Sequence, residues 1–446
     1  MTSEVESEVP EGDAECERPH GLHLPDAQQL SPHEPIDPSV HRLPPEVISE
    51  ILLKVVSGNI CASDSVFVVR HILSCVCNSW REVARSTPAL WNKIPSQLHS
   101  EALLPRWINY AKHASDHATL SGGLPLEIYH EFPADDSLIN ELFHALHHDL
   151  RRIQAISIEA NFSLLDSYRD INLPALRQAH LKLYGQPPKR PLKLLTGSAA
   201  LSELCIRFSD DDDLYADLPA LPFIDLLALT KLTLDVEATI PLAELLQALR
   251  SCANKLEEMD LGWYRTSPQL VPVDSLVQMS SVRRIALSSA AHEILNHIYA
   301  PALEHVAIIP VCASDDGDSF PSLSALMSRL PSPNMITRLE ANAFTDNTDS
   351  FVDCLEKLDG IRQLSMSGTA YEGLLTADVF SRLTCSADSE PLLTRLTKLY
   401  VSFSVPPRLN PEAAKALTKM IASRHIPHVC ASREVAALES VVVRVW

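Results

Sequence analysis

Leu229-Thr230-Lys231-Leu232-Thr233-Leu234, Pro241-Leu242-Ala243-Glu244-Leu245-Leu246-Gln247-Ala248-Leu249 and Leu256-Glu257-Glu258-Met259-Asp260-Leu261 are the stretches that decide how this chain folds. The first and third share one phrase, apolar–x–x–apolar–x–apolar. Its last two apolar positions alternate with polar ones, the period of a strand with one buried face. The middle stretch places Leu242, Leu245, Leu246, Leu249 and Cys252 three and four apart, which lines one face of a helix. Pro241 suits its start, because a first-turn N–H has no intrahelical partner to lose. Strand phrase, turn and helix then repeat after about 27 residues.

The phrase recurs outward in both directions. Upstream it reads Ile153/Ile156/Ile158, Leu176/Ala179/Leu181 and Leu201/Leu204/Ile206. Downstream it reads Val282/Ile285/Leu287, Leu303/Val306/Ile308, Ile336/Leu339/Ala341, Ile361/Leu364/Met366, Leu396/Leu399/Val401 and Leu438/Val441/Val443. Starts in the middle run lie about 21 to 28 residues apart, within the leucine-rich-repeat range, and the intervals widen past Ile308. Leu323, Leu326, Met327 and Leu330 after Pro321 predict another helix, as does 411–421. A leucine-rich-repeat-like α/β solenoid over 121–446, with strands lining its concave side, is the expectation. An irregular α/β domain with the same alternation is its rival. The Asn that such repeats use to satisfy backbone groups at the turn stands only at Asn161; Tyr184, Tyr264 and Ala290 take its place later. The final apolar run, 441–446, is expected as the last strand, paired to the unit at 396–401.

The chain has 446 residues, 37 Lys and Arg against 57 Asp and Glu, and a formal charge of −20. That balance works against phosphate-backbone binding, which needs clustered cations. With no evident Arg cluster after residue 120, a phosphate reader is not indicated either. Gly is scarce, 12 residues where roughly 7% is usual, so phosphate-cradling loops are disfavoured. No run of apolar residues is long enough for a membrane span. The ten Cys are scattered with no C-x-x-C pair, which reads as reduced packing thiols in the cytoplasm or nucleus. Residues 1–40 combine Glu4, Glu6, Glu8, Glu11, Asp13, Glu15 and Glu17 with six Pro and few apolar groups, a composition expected to stay disordered.

Between 43 and 95 the character changes. Val47, Ile48, Ile51, Leu52 and Val55 predict one helix. Val69, Ile72, Leu73, Val76, Cys77, Trp80, Val83 and Ala84 predict a second, and Leu90, Trp91 and Ile94 a short third element. Leu43-Pro44-Pro45-Glu46-Val47-Ile48, Val76-Cys77-Asn78-Ser79-Trp80-Arg81-Glu82-Val83-Ala84 and Pro88-Ala89-Leu90-Trp91 together resemble an F-box. The Ser-Thr-Pro-x-Leu-Trp ending at 86–91 is similar to the F-box proteins of mushroom-forming fungi. The stretch Ser57–Phe67 between the first two helices is longer than in compact members.

The resemblance implies an α+β chain: a small all-α three-helix F-box at 41–96, a connecting helix at 97–120, then the repeat domain. It implies docking on a Skp-type adaptor, and through it a cullin, by Leu43, Pro44, Pro45, Ile48, Ile51, Leu52, Val76, Trp80, Leu90 and Trp91. The chain would then be the substrate-recognition subunit of a ubiquitin ligase, with no chemistry of its own, holding a protein substrate near activated ubiquitin. A scaffold that binds the adaptor outside a ligase is the alternative. No cofactor, metal, nucleic-acid, membrane or self-association partner is expected, and the substrate-binding residues are not identified.

Other constellations read as structure. His292 and His297 lie five apart, wrong for one metal on a helix. His144 and His148, and likewise His113 and His117, read as solvated faces. Gly368 and Gly373 have P-loop spacing, but Leu374-Leu375 stand where Lys and Ser or Thr are needed. Cys77 reads as a packing residue on the second helix. Asp210–Asp213 reads as a solvated loop or an acidic lip, and Trp263, Tyr184 and Tyr264 as core or as binding hot spots.

Overall fold

The computed structural model describes residues 43–57, 76–95, 110–130, 136–168, 171–185, 191–208, 221, 227–266, 276–309, 318–342, 348–368, 374–386, 390–403 and 411–445. The expected disordered tail, the long stretch after Ser57, Val69–Leu73, Leu104–Ile108, Asp210–Asp213 and the turn after Gly368 lie outside the described residues, as do Cys16, Cys61, Cys75 and Cys312. Within Pro45–Trp446 the chain forms one compact unit.

Thirteen strands make one parallel sheet, and their order in space is their order in the chain. They are β1 (Lys93–Pro95), β2 (Leu126–His130), β3 (Ile153–Asn161), β4 (Gln178–Tyr184), β5 (Glu203–Phe208), β6 (Lys231–Ile240) and β7 (Glu258–Thr266). β8 (Arg284–Ser289), β9 (His305–Ile309), β10 (Arg338–Asn342), β11 (Gln363–Gly368), β12 (Lys398–Phe403) and β13 (Ser440–Val445) complete it. The last two apolar positions of each of the eleven phrases lie on one of these strands, from β3 to β13. The expected last strand is β13, and it pairs with β12.

The register explains why one phrase recurs. Ile156 stands beside Ala179, then Leu204, Leu232, Met259, Ile285, Val306, Leu339, Leu364, Leu399 and Val441. Ile158 heads a second ladder two residues on, ending at Val401 and Val443. From β3 to β12 both ladders are buried. A one-residue slip would turn both rows to water, so the apolar phrase fixes the pairing.

A backbone ladder runs beside them. The carbonyl before each strand accepts two N–H groups from the next unit. Arg177 O takes Ser202 N and Glu203 N at 2.8 and 2.9 Å, and Thr397 O takes Glu439 N and Ser440 N at 2.8 and 3.2 Å. The same double contact recurs at Ser202, Thr230, Glu257, Arg283, Glu304, Thr337 and Arg362.

Helices α1 (Pro45–Ser57) and α2 (Asn78–Arg85) precede the sheet, and the crossovers carry α3 (Tyr110–Leu120), α4 (Asp136–Ala145), α5 (Phe162–Ser167) and α6 (Lys193–Thr196). α7 (Leu242–Cys252), α8 (Phe320–Arg329), α9 (Thr348–Glu356), α10 (Ala377–Arg382) and α11 (Pro411–Ser423) follow. α7, α8 and α11 fall where the spacing predicts them. Leu245, Leu246 and Leu249 of α7, Leu323 and Leu326 of α8 and Phe351 of α9 bury their apolar stripes in the same core as the strand ladders. From β3 to β7 the opposite face carries polar side chains between the ladder positions; Ala286 and Ala307 follow in the same row.

Two expectations about the start of the chain differ. The expected second helix is not continuous through Val76 and Cys77: among the described residues a helix starts at Asn78. Cys77 is its N-cap in extended backbone, so it does not sit on a helical stripe. The apolar spacing runs through a boundary that Asn78 and Ser79 favour, since short polar side chains suit helix starts better than interiors. The third short helix is a single 3₁₀ turn, Pro88–Leu90, followed by β1, with Ile94 paired to Ile128.

Candidate functional site

The helical segment is knit by individual contacts. Trp91 Nε1 donates to Ala84 O at 2.7 Å, and Thr87 Oγ1 donates to Val83 O at 2.7 Å. Ser49 Oγ and Thr87 Oγ1 are 3.1 Å apart, joining α1 to the start of the 3₁₀ turn. Of the ten residues that the resemblance assigns to an adaptor, Ile48, Leu52, Trp80, Leu90 and Trp91 are buried in this chain's own core. They hold the segment together and present no surface in this structure. Ile51 is half-buried and Pro45 exposed. Val76 is 51% exposed, and Val47, which the assignment omits, is 41% exposed. Leu43 is half-buried and Pro44 exposed.

The polar face of the sheet holds a cleft of about 600 Å³ across β3 to β8. Alternation along each strand supplies its lining: between the two buried ladder positions stand Ser157, His180, Cys205, Thr233 and Asp260. Charges of both signs face one another across strands. Lys182 Nζ lies 2.7 Å from Glu159 Oε1, and Lys231 Nζ and Arg284 Nη1 lie 3.3 and 3.9 Å from Glu258 Oε2. Burial raises the Asp260 carboxyl pKa, a shift that Arg284 opposes. Burial also raises that of the Cys205 thiol, with Arg207 opposing. A raised pKa keeps Cys205 a thiol, so its chemistry in this cleft is that of a polar contact rather than a nucleophile. The arrangement is a chequerboard of fixed charges suited to recognising a polar surface.

Further along, His305 Nε2 lies 3.2 Å from Glu340 Oε1, and Arg338 pairs with the same oxygen. These contacts, that of His305 foremost, hold the Glu340 pKa down to about 2.

The other candidates resolve as follows. His113 and His117 are buried, not solvated. The inward face of α3 is His113, Ala114, His117 and Ala118; the small alanines leave room for the imidazoles. His117 meets Trp91 edge-on at 5.1 Å, with its Nδ1 3.2 Å from Trp91 O. His144, His147 and His148 are exposed, opposite the buried Ile139, Leu142, Phe143 and Leu146. His292 is buried beside Ser322 Oγ at 3.3 Å on a 3₁₀ helix, and burial lowers the pKa of His297. Among the described residues no group of three or more His, Cys, Asp and Glu is placed to hold a metal. No described helix is long and apolar enough to cross a membrane.

Trp263 is a core residue, 1% exposed. Asn161 caps α5, accepting from Ser163 N at 2.9 Å, which is its turn-satisfying role in another form. Gly185 backs it at φ +82°, where a Cβ would stand 2.5 Å from Asn161 Nδ2. None of the six described cysteines is in a disulfide, and burial pushes Cys252 and Cys354 up to about 11 and about 12.

One expectation is overturned outright. The chain does carry a cationic cluster after residue 120: Arg338, Arg362, Arg395 and Lys398 line a basin of about 650 Å³ at the starts of β10 to β13. Arg338, Arg362 and the Arg395/Lys398 pair lie 24 or more residues apart, so no short window of sequence contains the cluster. The signal was in the register: aligning the phrases puts Arg338, Gln363 and Lys398 in one row.

Compared with known proteins, the chain matches no family model and no curated protein.

Proposed function

We propose that this chain is the substrate-receptor subunit of a Skp–cullin–F-box ubiquitin ligase, an F-box followed by a leucine-rich-repeat-like solenoid. The observation that carries the reading is a conjunction. The Leu43-Pro44, Val76-Cys77-x-x-Trp80-Arg81 and Leu90-Trp91 motif leads directly into a parallel sheet whose thirteen strands follow chain order. That order, with a helix in most crossovers and one polar sheet face, fits the repeat plan in which each unit contacts only its neighbours. In this reading α1, α2 and the 3₁₀ turn form the adaptor-binding end. The buried Ile48, Leu52, Trp80, Leu90 and Trp91 shape it, and the exposed Val47 and Val76 supply apolar contact. The polar face across β3 to β8 then receives the protein to be modified, and the gain in rate is one of proximity.

The test is co-expression with a Skp-type adaptor and a cullin, followed by affinity purification. The adaptor should co-purify with the wild-type chain. Leu43→Ala with Pro44→Ala, and separately Val47→Asp, should reduce recovery about tenfold or more while circular dichroism stays native. Undiminished recovery by both variants sinks the assignment. Recovery of the adaptor without the cullin favours a scaffold outside a ligase.

A further inference from the structure

Strand starts form a row along one edge of the sheet, about 4.8 Å per step. From β1 to β9, among the described residues, most cations of this row face carboxylates on a neighbouring strand, and Arg177 before β4 is the exception. Lys93 lies 3.8 Å from Glu127, Lys231 and Arg284 share Glu258, and Arg283 meets Glu304 at 2.5 Å. From β10 onward the pattern stops. Arg338 pairs with Glu340, which His305 already engages. Among the described residues Arg362, Arg395 and Lys398 form no ion pair, and all three are exposed.

Four cations and one carboxylate, Glu439, line the basin, and of the four only Arg338 has an ion-pair partner among the described residues, Glu340. This occurs in a chain of net charge −20. Like charges on neighbouring strands repel, so folding alone gives no reason to gather them. Their spread decides what they fit. Arg338 is on β10 and Lys398 on β12, two strand steps or about 10 Å apart. A single small anion does not span that distance, whereas an extended peptide covers it in about three residues at 3.3 Å each. Thr337, Gln363 and Thr397 line the same basin and offer neutral hydrogen-bonding groups between the charges.

We propose that this basin binds an acidic, carboxylate-rich segment of a partner protein in extended form. Its Asp or Glu side chains take the places that Glu127, Glu258 and Glu304 fill on the earlier strands. The surface is separate from the cleft over β3 to β8, and the inference does not depend on the adaptor reading.

The test uses the full chain and a fluorescein-labelled ten-residue peptide of alternating Glu and Ser, followed by fluorescence anisotropy in about 50 mM salt. Saturable binding is expected, lost in about 500 mM salt and absent for the peptide with Gln in place of Glu. Arg362→Ala with Arg395→Ala should weaken binding about tenfold or more. Lys182→Ala with Lys231→Ala, on the charge-matched strands, should leave it within about twofold. Thermal melts confirm that each variant is folded, and Lys398→Glu serves as a second route to the same loss. No binding of the Glu peptide overturns the proposal, as does equal binding by the Arg362/Arg395 and Lys398 variants. Binding of a phosphoserine peptide or single-stranded DNA without the Glu peptide also overturns it, in favour of a phosphate ligand. No adaptor is present, so this outcome is independent of the ligase assignment.

Discussion

The sheet from β3 to β9 and the sheet from β10 to β13 share one inner face and differ in the outer one. Inside, both continue the same two apolar ladders, from Ile156 and Ile158 to Val441 and Val443. Outside, among the described residues, the first part matches most cations of its strand starts with a carboxylate, leaving Arg177 alone, and the second gathers Arg362, Arg395 and Lys398 without one. The inner ladder is the same because burial forces it: each apolar position removed from water contributes about 1.5–3 kcal/mol. The outer row is free to differ because exposed ion pairs contribute only about 0–1 kcal/mol each. Variation that folding does not require is where such a sheet has room for recognition.

The sharpest way to break this comparison is to cut the inner ladder. Leu261→Ala, at a fully buried position in the middle of the sheet, should cost about 3–5 kcal/mol in a denaturant titration. Leu399→Ala should cost nearly as much. Val441→Ala, at the same ladder position one strand on but only half-buried, should cost about 1 kcal/mol. Equal losses at Leu399 and Val441 would mean that the last strand is packed like an internal one.

Next in size is Arg424, fully buried, whose guanidinium donates to Leu383 O at 2.9 Å, to Leu393 O at 3.0 Å and to Leu392 O. Arg424→Leu strands those carbonyls and should lower stability by about 2–3 kcal/mol. A melt unchanged by this substitution would show that the carbonyls find other donors.

The outer row predicts smaller effects with a pH signature. Glu340 has its pKa depressed from 4.5 to about 2. Its contribution is present above the unfolded value and is lost as pH falls toward 2. Glu340→Gln should therefore destabilise by about 1 kcal/mol at pH 7, after allowance for solvent screening, and the difference from wild type should vanish near pH 2. A difference that persists in acid would make the loss one of packing. Smallest of all, Lys182→Ala and Arg362→Ala should each move stability by no more than about 0.5 kcal/mol. A larger loss at Arg362 would break the claim that its row is not needed for folding.

A chemical probe sharpens the same division. Cys252 and Cys354, buried with pKa values of about 11 and about 12, should resist an alkylating reagent at pH 8 until the chain is unfolded, as read by mass spectrometry.

Much of the sheet was legible in the sequence because its neighbours repeat. The phrase Leu229/Leu232/Leu234 meets Leu256/Met259/Leu261 in register, so a local pattern and its packing partner carry the same signal. β1 and β2 escaped it: β1 has three residues, and β2 enters through a register shift at Leu126 with His130 in the apolar ladder. The helical segment was legible as a motif but not in its boundaries, since its contacts, such as Trp91 to Ala84 and His117 to Trp91, occur once each.

By itself, then, the sequence determined the strand phrases, their spacing, the helix faces of α7, α8 and α11, and the end of the sheet at β13. Each follows from a periodicity that the chain carries within some ten residues. Only the tertiary structure decided which of the ten motif residues are buried and which face of α3 turns inward. It also decided that four cations from three successive units share one basin. Such facts depend on which residues a neighbour covers and on how units far apart in the chain line up. A parallel register brings side chains together across 24 to 60 residues of sequence (Arg338 to Arg362, Arg338 to Lys398), a separation over which no local pattern can report proximity.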